Sequence, residues 1–495
     1  MPMRISGFSG LDIDALVNDL MRAKRAPLDR LNQQKTKLEW QREQYRSINA
    51  KLVDFRNNKL FNYSLSNAVN AKKATVGGEA ASSVSAKAYA SAMTGSIEIE
   101  VKGLAKAASA TSTAGIGKGS SAKLTELDGI TATGDEIEFE INGKPIKVDK
   151  DATIADLVST INASDAGVTA FFDDYKQKLS LTAKATGKSE ITYSDNLDEA
   201  FKLEGSEGEN ASVVINGIET ERASNSFTVN GVEITLNAAN PGKKAVINVT
   251  TDTDKIVDTI KTFINDYNSL IDLLNKKVSE ERYRDYQPLT ADQKKEMKDS
   301  EIELWEEKAK SGLLRGDSTL TNLINNMRMA ISADVVFDGK KLNLLKDFGI
   351  ETGTYEQRGK LILKNEEQLR AAIEADPDGF MEFFTRKTTD TNPETKDSPT
   401  NQDNGLFNRL SVSVLQAIEQ LATKAGTSRF STDETAAFIP NSYMGEQLRQ
   451  LELRISDMVR RLNQMENRYY LQFSAMESAM NRYTAMSNSL FGMIS

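Results

Sequence analysis

From Leu448 onward the chain places an apolar residue at alternating steps of three and four: Leu448, Leu451, Ile455, Met458, Leu462, Met465, Tyr469, Met476, Ala479, Tyr483, Met486, Leu490 and Met493, with Gln472 the one polar member. Such steps average 3.5 residues, so the side chains form one narrow seam along a helix, the pattern of a coiled coil. Chain ends ordinarily fray, and an apolar seam that reaches the C-terminus therefore needs a partner. Its length and its charged flanks exceed what one small core uses, which points to a leg that packs against other helices.

The N-terminal region answers it. Asp12 is placed to cap a helix carrying Leu16, Leu20 and Ala23, and Pro27 marks a kink or a fresh helical start. The rhythm then resumes through Leu31, Gln34, Leu38, Gln41, Tyr45, Ile48, Leu52 and Phe55, which predicts a second helix. Both ends are helical seams, and the simplest packing sets them side by side.

Between about residues 76 and 250 the heptads vanish and Gly, Ser, Thr and β-branched residues dominate. Three Asn-Gly pairs interrupt alternating apolar runs, at Asn142-Gly143, Asn216-Gly217 and Asn230-Gly231. Both residue types accept the positive φ of a type I′ turn, so each pair predicts a hairpin. A helix is expected within this β-rich head at "TIADLVSTINAS", capped by Thr153, with Ile154, Leu157, Val158 and Ile161 on one face. Helical patterning returns at Asp254, where Ile256, Ile260, Phe263, Ile264, Tyr267, Leu270 and Leu274 share a stripe. Further helices are expected around "STLTNLINNMRMAIS" and "NEEQLRAAIEADPDGFMEFF". The polar stretch 386–405 has no large apolar residue and reads as a mobile linker.

The expected architecture is an α+β multidomain chain, with terminal coiled-coil legs, a helical stalk, and an inserted β-rich head of two subdomains. The legs take 1–45 and 450–495, and the stalk takes 46–75 and 254–449. One head subdomain takes 76–112 and 211–253, the other 113–210. The residues expected to pack against other helices, within the leg or from other chains, are Leu16, Leu20, Leu31, Leu38, Leu448, Leu451, Ile455, Met458, Leu462, Met465, Tyr469, Met476, Tyr483, Met486 and Leu490.

Residue types narrow the function further. The chain has no cysteine and no histidine, which removes disulfides, thiolate nucleophiles, Ser-His-Asp triads and ordinary zinc or haem sites. A formal net charge of -9 opposes nucleic-acid binding. No run approaches a membrane span, and the opening residues lack the apolar core of a secretory signal, so the default location is cytoplasmic. "TGKS" at 186–189 has Thr182 where a phosphate loop needs glycine, and "GFSG" has no histidine to activate Ser9. The adjacent carboxylates Asp173 and Asp174 point to opposite faces of a strand and are poorly placed to share a substrate. The reading is a structural protein, not an enzyme, with no cofactor and no metal.

Three segments resemble the flagellar filament-cap family, hook-associated protein 2. The opening matches at Ser9, Gly10, Leu11, Asp12, Leu16, Val17, Leu20, Met21, Pro27, Leu28 and Leu31. The stretch 285–320 is similar to a segment characteristic of these caps, including Trp305, Gly312, Leu313, Leu314, Arg315 and Asp317. "TIADLVSTINASDAGVTAFFD" resembles a repeat shared with flagellins. The resemblance implies export, unfolded, through the flagellar secretion channel without a cleaved signal peptide, and an extracellular place at the flagellum tip. It implies a homo-oligomeric ring of five or six with terminal legs and a plate of heads, which promotes folding and insertion of flagellin and prevents its loss. The implied partners are flagellin, the hook-filament junction proteins and an export chaperone, with no nucleic acid and no membrane insertion. The alternative is a surface-exposed adhesin that uses the head, where Phe171, Phe172 and Tyr175 are the tightest aromatic group. A third class, a cell-wall hydrolase, is distinguished by peptidoglycan turnover. Neither 386–405 nor the loop "KAGTSRFSTDETAAFIPNS" matches the family.

Overall fold

A computed structural model describes residues 12–392 and 394–494, with side chains in the last helix through residue 487. Ser9, Gly10 and Leu11 lie outside the described residues, as does the side chain of Leu490. The chain forms two compact units, one of residues 1–69 with 257–495 and one of residues 70–256.

In the first unit, α1 (Ile13–Asp54) is one helix of 42 residues. Pro27 lies inside it, and no fresh helix starts there. Proline forfeits the hydrogen bond to the carbonyl four residues earlier, and here both Pro27 and Ala23 are exposed, so water can satisfy that carbonyl. Asp12 caps the helix, its Oδ1 accepting from the Ala15 N–H at 2.9 Å. A six-residue π-helical turn, Phe55–Leu60, follows and buries Phe55 and Leu60.

The second unit is β-rich. Its five-stranded antiparallel sheet has the spatial order Lys72–Gly78, Ala245–Thr251, Gly95–Gly103, Ala211–Ile215, Ile218–Arg222. A three-stranded sheet joins Ser226–Val229, Val232–Leu236 and Val84–Ala88. One hydrophobic cluster, including Ile97, Ile99, Val213, Ile234 and Ile247, belongs to these strands. A second cluster gathers Phe139, Ile154, Leu157, Ile161, Leu181 and Phe201 around a four-stranded sheet, a hairpin and the helix α2 (Ile154–Ala163).

All three Asn-Gly pairs turn hairpins. Asn142, Asn216 and Asn230 have φ of 50°, 47° and 49°, each followed by a positive-φ glycine. Glu136–Ile141 then pairs with Lys144–Asp149, Ala211–Ile215 with Ile218–Arg222, and Ser226–Val229 with Val232–Leu236. Thr153 and Asp156 form a reciprocal capping box at the start of α2.

The helix α3 (Thr253–Ser279) leads into the first unit, whose longer helices include α4 (Asp299–Lys310), α5 (Ser318–Ser332), α6 (Leu406–Ala425) and α7 (Tyr443–Ile494). The stripe expected on α3, from Ile256 to Leu274, is buried along its length. Between α5 and α6, the helical pattern expected at "NEEQLRAAIEADPDGFMEFF" forms Glu366–Ala375 and Pro377–Thr385, divided at Asp376 and Pro377. The stretch 386–405 is not the open linker its polarity suggested. The Asp403 carboxylate accepts from the Thr389 N–H at 2.7 Å and from Arg386 Nε at 3.1 Å, and the Gly405 N–H closes the loop on the Arg386 carbonyl at 2.8 Å. Polar residues can order a loop without a core when one carboxylate collects its donors.

Candidate assembly surface

The two seams meet. α1 and α7 run antiparallel, since Lys35 pairs with Glu452 at 3.0 Å while Ile13 and Val17, earlier on α1, cluster with Leu462, further along α7. Ile13, Val17, Met21 and Leu462 form a buried cluster with Leu28, Met458, Met465, Tyr469, Tyr470 and Phe473 packed on it. Each fully buried apolar side chain of this size stabilises by about 1.5–3 kcal/mol relative to exposure.

The expected N-terminal face is displaced. Ile13, Val17 and Met21, spaced by four, face α7, whereas Leu16 is 36% and Leu20 42% exposed and Ala23 is also exposed. Leu31 is buried and Leu38 half-buried. On α7, Leu448 and Leu462 are buried, and Leu451, Ile455, Met458, Met465 and Tyr469 are half-buried. Past Phe473 the apolar side chains of the seam are largely exposed, Met476 at 42%, Tyr483 at 73% and Met486 at 64%, with Met480 at 40%, while the neighbouring Glu477 is buried, only 6% exposed. At 1.5 Å per residue, α7 with its 52 residues is about 78 Å long and α1 with its 42 about 63 Å.

At the base of this pair, α1 is tied to the stretch 285–320 through side chains that reach backbone. Gln41 Nε2 donates to the Leu313 carbonyl at 3.1 Å, Gln44 Nε2 to Lys310 at 2.9 Å and Gln33 Nε2 to Pro288 at 2.8 Å. The Trp305 ring lies 4.6 Å from the Tyr286 ring, tilted 52° to it, and its Nε1–H donates to the Gln287 carbonyl at 2.8 Å. Gly312 has φ +65°, and a Cβ there would lie 2.7 Å from the Glu281 carbonyl oxygen.

Asp317 joins three helices. Its Oδ1 accepts from the Leu320 N–H at 3.0 Å and caps α5, and its Oδ2 accepts from Tyr45 of α1 at 2.7 Å and Lys424 of α6 at 2.5 Å. Burial pushes the carboxyl pKa up, but the hydrogen bonds from Lys424, Tyr45 and the Leu320 amide outweigh it and hold the group below its ordinary value. Burial, reinforced by Asp317, pushes the Tyr45 hydroxyl up.

The adjacent carboxylates Asp173 and Asp174 each hold a turn or loop. Asp173 accepts from the Lys176 N–H, and Asp174 from the N–H and Oγ of Ser120. Among the described residues no group of three His, Cys, Asp or Glu could hold a metal ion, and no helix is long and apolar enough to cross a membrane. Sequence reading missed Ile13, Tyr470 and Phe473. The spacing of four from Ile13 to Met21 was the available signal for the first.

A sequence model described as "Flagellar hook-associated protein 2 C-terminus" matches residues 208–485, its N-terminal counterpart matches 9–108, and a "Flagellin hook IN motif" matches 129–185. A Halalkalibacterium halodurans protein named flagellar hook-associated protein 2 is 29% identical, with 99% of each chain covered. A Thermotoga maritima protein of the same name is 32% identical over 50% of this chain and 41% of its own length. The crystal structure of the flagellar cap protein FliD D1-D2-D3 domains from Escherichia coli is similar in fold, with a TM-score of 0.54, 20% identity, and 78% of this chain and 97% of that chain covered.

Proposed function

Since the chain belongs to the flagellar hook-associated protein 2 family and is thereby a structural cap protein of the flagellum, we propose that it works as a homo-oligomeric ring of five or six at the filament tip, promoting the folding and insertion of exported flagellin and preventing its loss. The observation that carries this reading is the seam of α7, packed on α1 as far as Phe473 and then exposed at Met476, Met480, Tyr483 and Met486. A leg that covers part of its apolar face itself and offers the rest can insert among other helices, each newly buried apolar side chain adding about 1.5–3 kcal/mol. Flagellin at the filament end is the partner we assign to that surface, alongside neighbouring copies of the chain. Hook-filament junction proteins precede it in assembly, an export chaperone holds it beforehand, and export proceeds through the flagellar channel without a cleaved signal peptide.

The test is a chain ending after residue 473, expressed in a cap-deficient flagellated strain. The truncated protein should be exported yet fail to stay at filament ends, leaving flagellin monomer in the medium. Normal filaments at equal export would refute the assignment of the exposed seam.

A second reading, adhesion by the β-rich head, draws on Phe171 and Tyr175, which are 62% and 89% exposed. Phe171→Ser with Tyr175→Ser should abolish binding to a surface ligand while filament growth is unchanged. Unchanged binding would remove this reading.

A further inference from the structure

The strap that joins α6 to α7, residues 427–442, is largely exposed and supplies almost no core of its own. It is held instead by polar side chains of α1. Arg42, only 9% exposed, donates through Nε to the Ala425 carbonyl at 2.7 Å and through Nη2 to the Ile439 carbonyl at 3.4 Å. Arg46, one turn along, donates through Nη1 to the Ala436 carbonyl at 3.1 Å. The two guanidinium groups lie 4.1 and 4.5 Å from the centre of the Phe438 ring, so both grip one aromatic side chain. Asn49 Nδ2 donates to the Ser428 carbonyl at 2.6 Å, and Glu434 accepts from Ser47 and Lys51, each at 2.8 Å.

Arg42 occupies the neck of this strap. The Ile439 N–H donates to the Gly426 carbonyl at 2.7 Å, closing a loop whose two sides both offer carbonyls to Arg42. The neck has no slack: Gly426 has φ +76°, and a Cβ there would lie 2.4 Å from the Ile439 carbonyl oxygen and 3.0 Å from Arg42 Nη2. Three residues after Ile439 the helix α7 is already being capped, with Ser442 Oγ accepting from the Gly445 N–H at 3.1 Å. The position of the neck on α1 therefore dictates where α7 begins.

The seam beyond it is permissive of register. Met458 and Met465 are unbranched and fill irregular spaces with little preference. The cross-helix pair Lys35–Glu452 has side chains 31% and 56% exposed, and pairs of that kind discriminate weakly. We propose that Arg42 is the register pin of the leg: by clasping both sides of the strap's neck to α1, it fixes how the seam of α7 lies along α1. Arg42 is thus a positioning residue, acting on assembly through α7. Lysine cannot replace it, because a point charge lacks the planar fork that reaches two carbonyls while stacking on Phe438.

The inference concerns the isolated chain and is tested without reference to filament capping. The protein has no cysteine, so introduced pairs report register cleanly. Lys35→Cys with Glu452→Cys, joined by a short bis-maleimide, reports the native register. Lys35→Cys with Arg449→Cys or with Ser456→Cys reports a slip of one turn either way. In an Arg42→Met background, native-register cross-linking should fall relative to slipped cross-linking by about tenfold, the factor expected from losing one charged hydrogen bond. Helix content and Trp40 fluorescence should be retained, and Arg42→Lys should behave as Arg42→Met. A native-register yield equal to the parent's in the folded variant overturns the proposal. So does a loss of both kinds of cross-link together with helix content, which would make Arg42 a folding residue only. A second variant leaves Arg42 and its contacts untouched: four Gly-Ser residues inserted between Pro440 and Asn441 lengthen the connector. It should slip as Arg42→Met does, and an unchanged register there also overturns the proposal.

Discussion

Replacing Asp317 tests whether one carboxylate joins α1, α5 and α6. Asp317→Ala removes the cap of α5, which costs about 1 kcal/mol. It also leaves the Tyr45 hydroxyl, on a side chain 1% exposed, without its acceptor, which costs about 1–3 kcal/mol. Lys424 is 34% exposed at its side chain and can turn to water, so the ion pair is discounted to about 1 kcal/mol. The total expected loss is about 3–5 kcal/mol, the three contributions taken together. Asp317→Asn keeps the cap through its one carbonyl oxygen and presents an amide N–H to the Tyr45 oxygen where the second carboxylate oxygen accepted. It loses the ion pair and the bond that Tyr45 donates, and should cost about 2 kcal/mol, less than alanine.

The assay is urea unfolding followed by tryptophan fluorescence. The two tryptophans, Trp40 and Trp305, both lie in the unit that contains Asp317, so the signal excludes the β-rich unit. The native carboxyl is held below its ordinary value of 3.8. Its charged form therefore stabilises the fold at all pH values above that ordinary value, and the contribution is lost as pH falls below it and through the native pKa. The gap between the parent and Asp317→Asn should thus be constant near neutrality and close in acid. Equal losses for Asn and Ala, or a gap that widens in acid, would refute the assignment of cap, acceptor and ion pair to this one group.

Ile455→Asp with Leu462→Asp should open the α1–α7 pair and abolish filament-end binding, because Leu462 is 4% exposed within the Ile13–Val17–Met21 cluster; a melted β-rich unit, read by proteolysis of that unit, would contradict this. Met458→Ile, Met465→Ile and Met486→Ile together should stiffen the seam through β-branching and slow filament growth, with more free flagellin; growth equal to the parent at equal export would assign these methionines to packing alone. Asn142→Ala should destabilise the β-rich unit by about 2–3 kcal/mol in chemical denaturation and Asn230→Ala by about 1, since both lose a tolerated left-handed turn residue but only Asn142 also bonds the Ala166 carbonyl and the Thr192 N–H; a reversed order would refute the argument. Limited proteolysis should remove residues beyond 473 before any cut in 76–250, and the opposite order would contradict the exposure of the seam.

Local features were legible in the sequence because their physics is local. The Asn-Gly turns follow from which residues accept positive φ, the Thr153 cap from unpaired N–H groups at a helix start, and the α7 seam from a 3.5-residue period. Periodicity announces that a face will be covered, but not by what or how far. Only the structure covers it to Phe473 and exposes it beyond, and only the structure turns Ile13, Val17 and Met21 inward while Leu16 and Leu20 stay out. Pro27 is tolerated in α1 because its orphaned carbonyl faces water, a matter of surroundings that no residue type announces. The strap and the Asp403 loop were illegible for a related reason. Their polar side chains seek backbone carbonyls and amides, which every residue carries, so the target leaves no mark in sequence. Arg42 finds its carbonyl 383 residues away. The sequence by itself determined the elements and their apolar faces, where the chain's own neighbours supply the constraint. Tertiary structure alone decided which backbone group each buried polar side chain would reach, because that choice depends on segments far apart in the chain being brought together first.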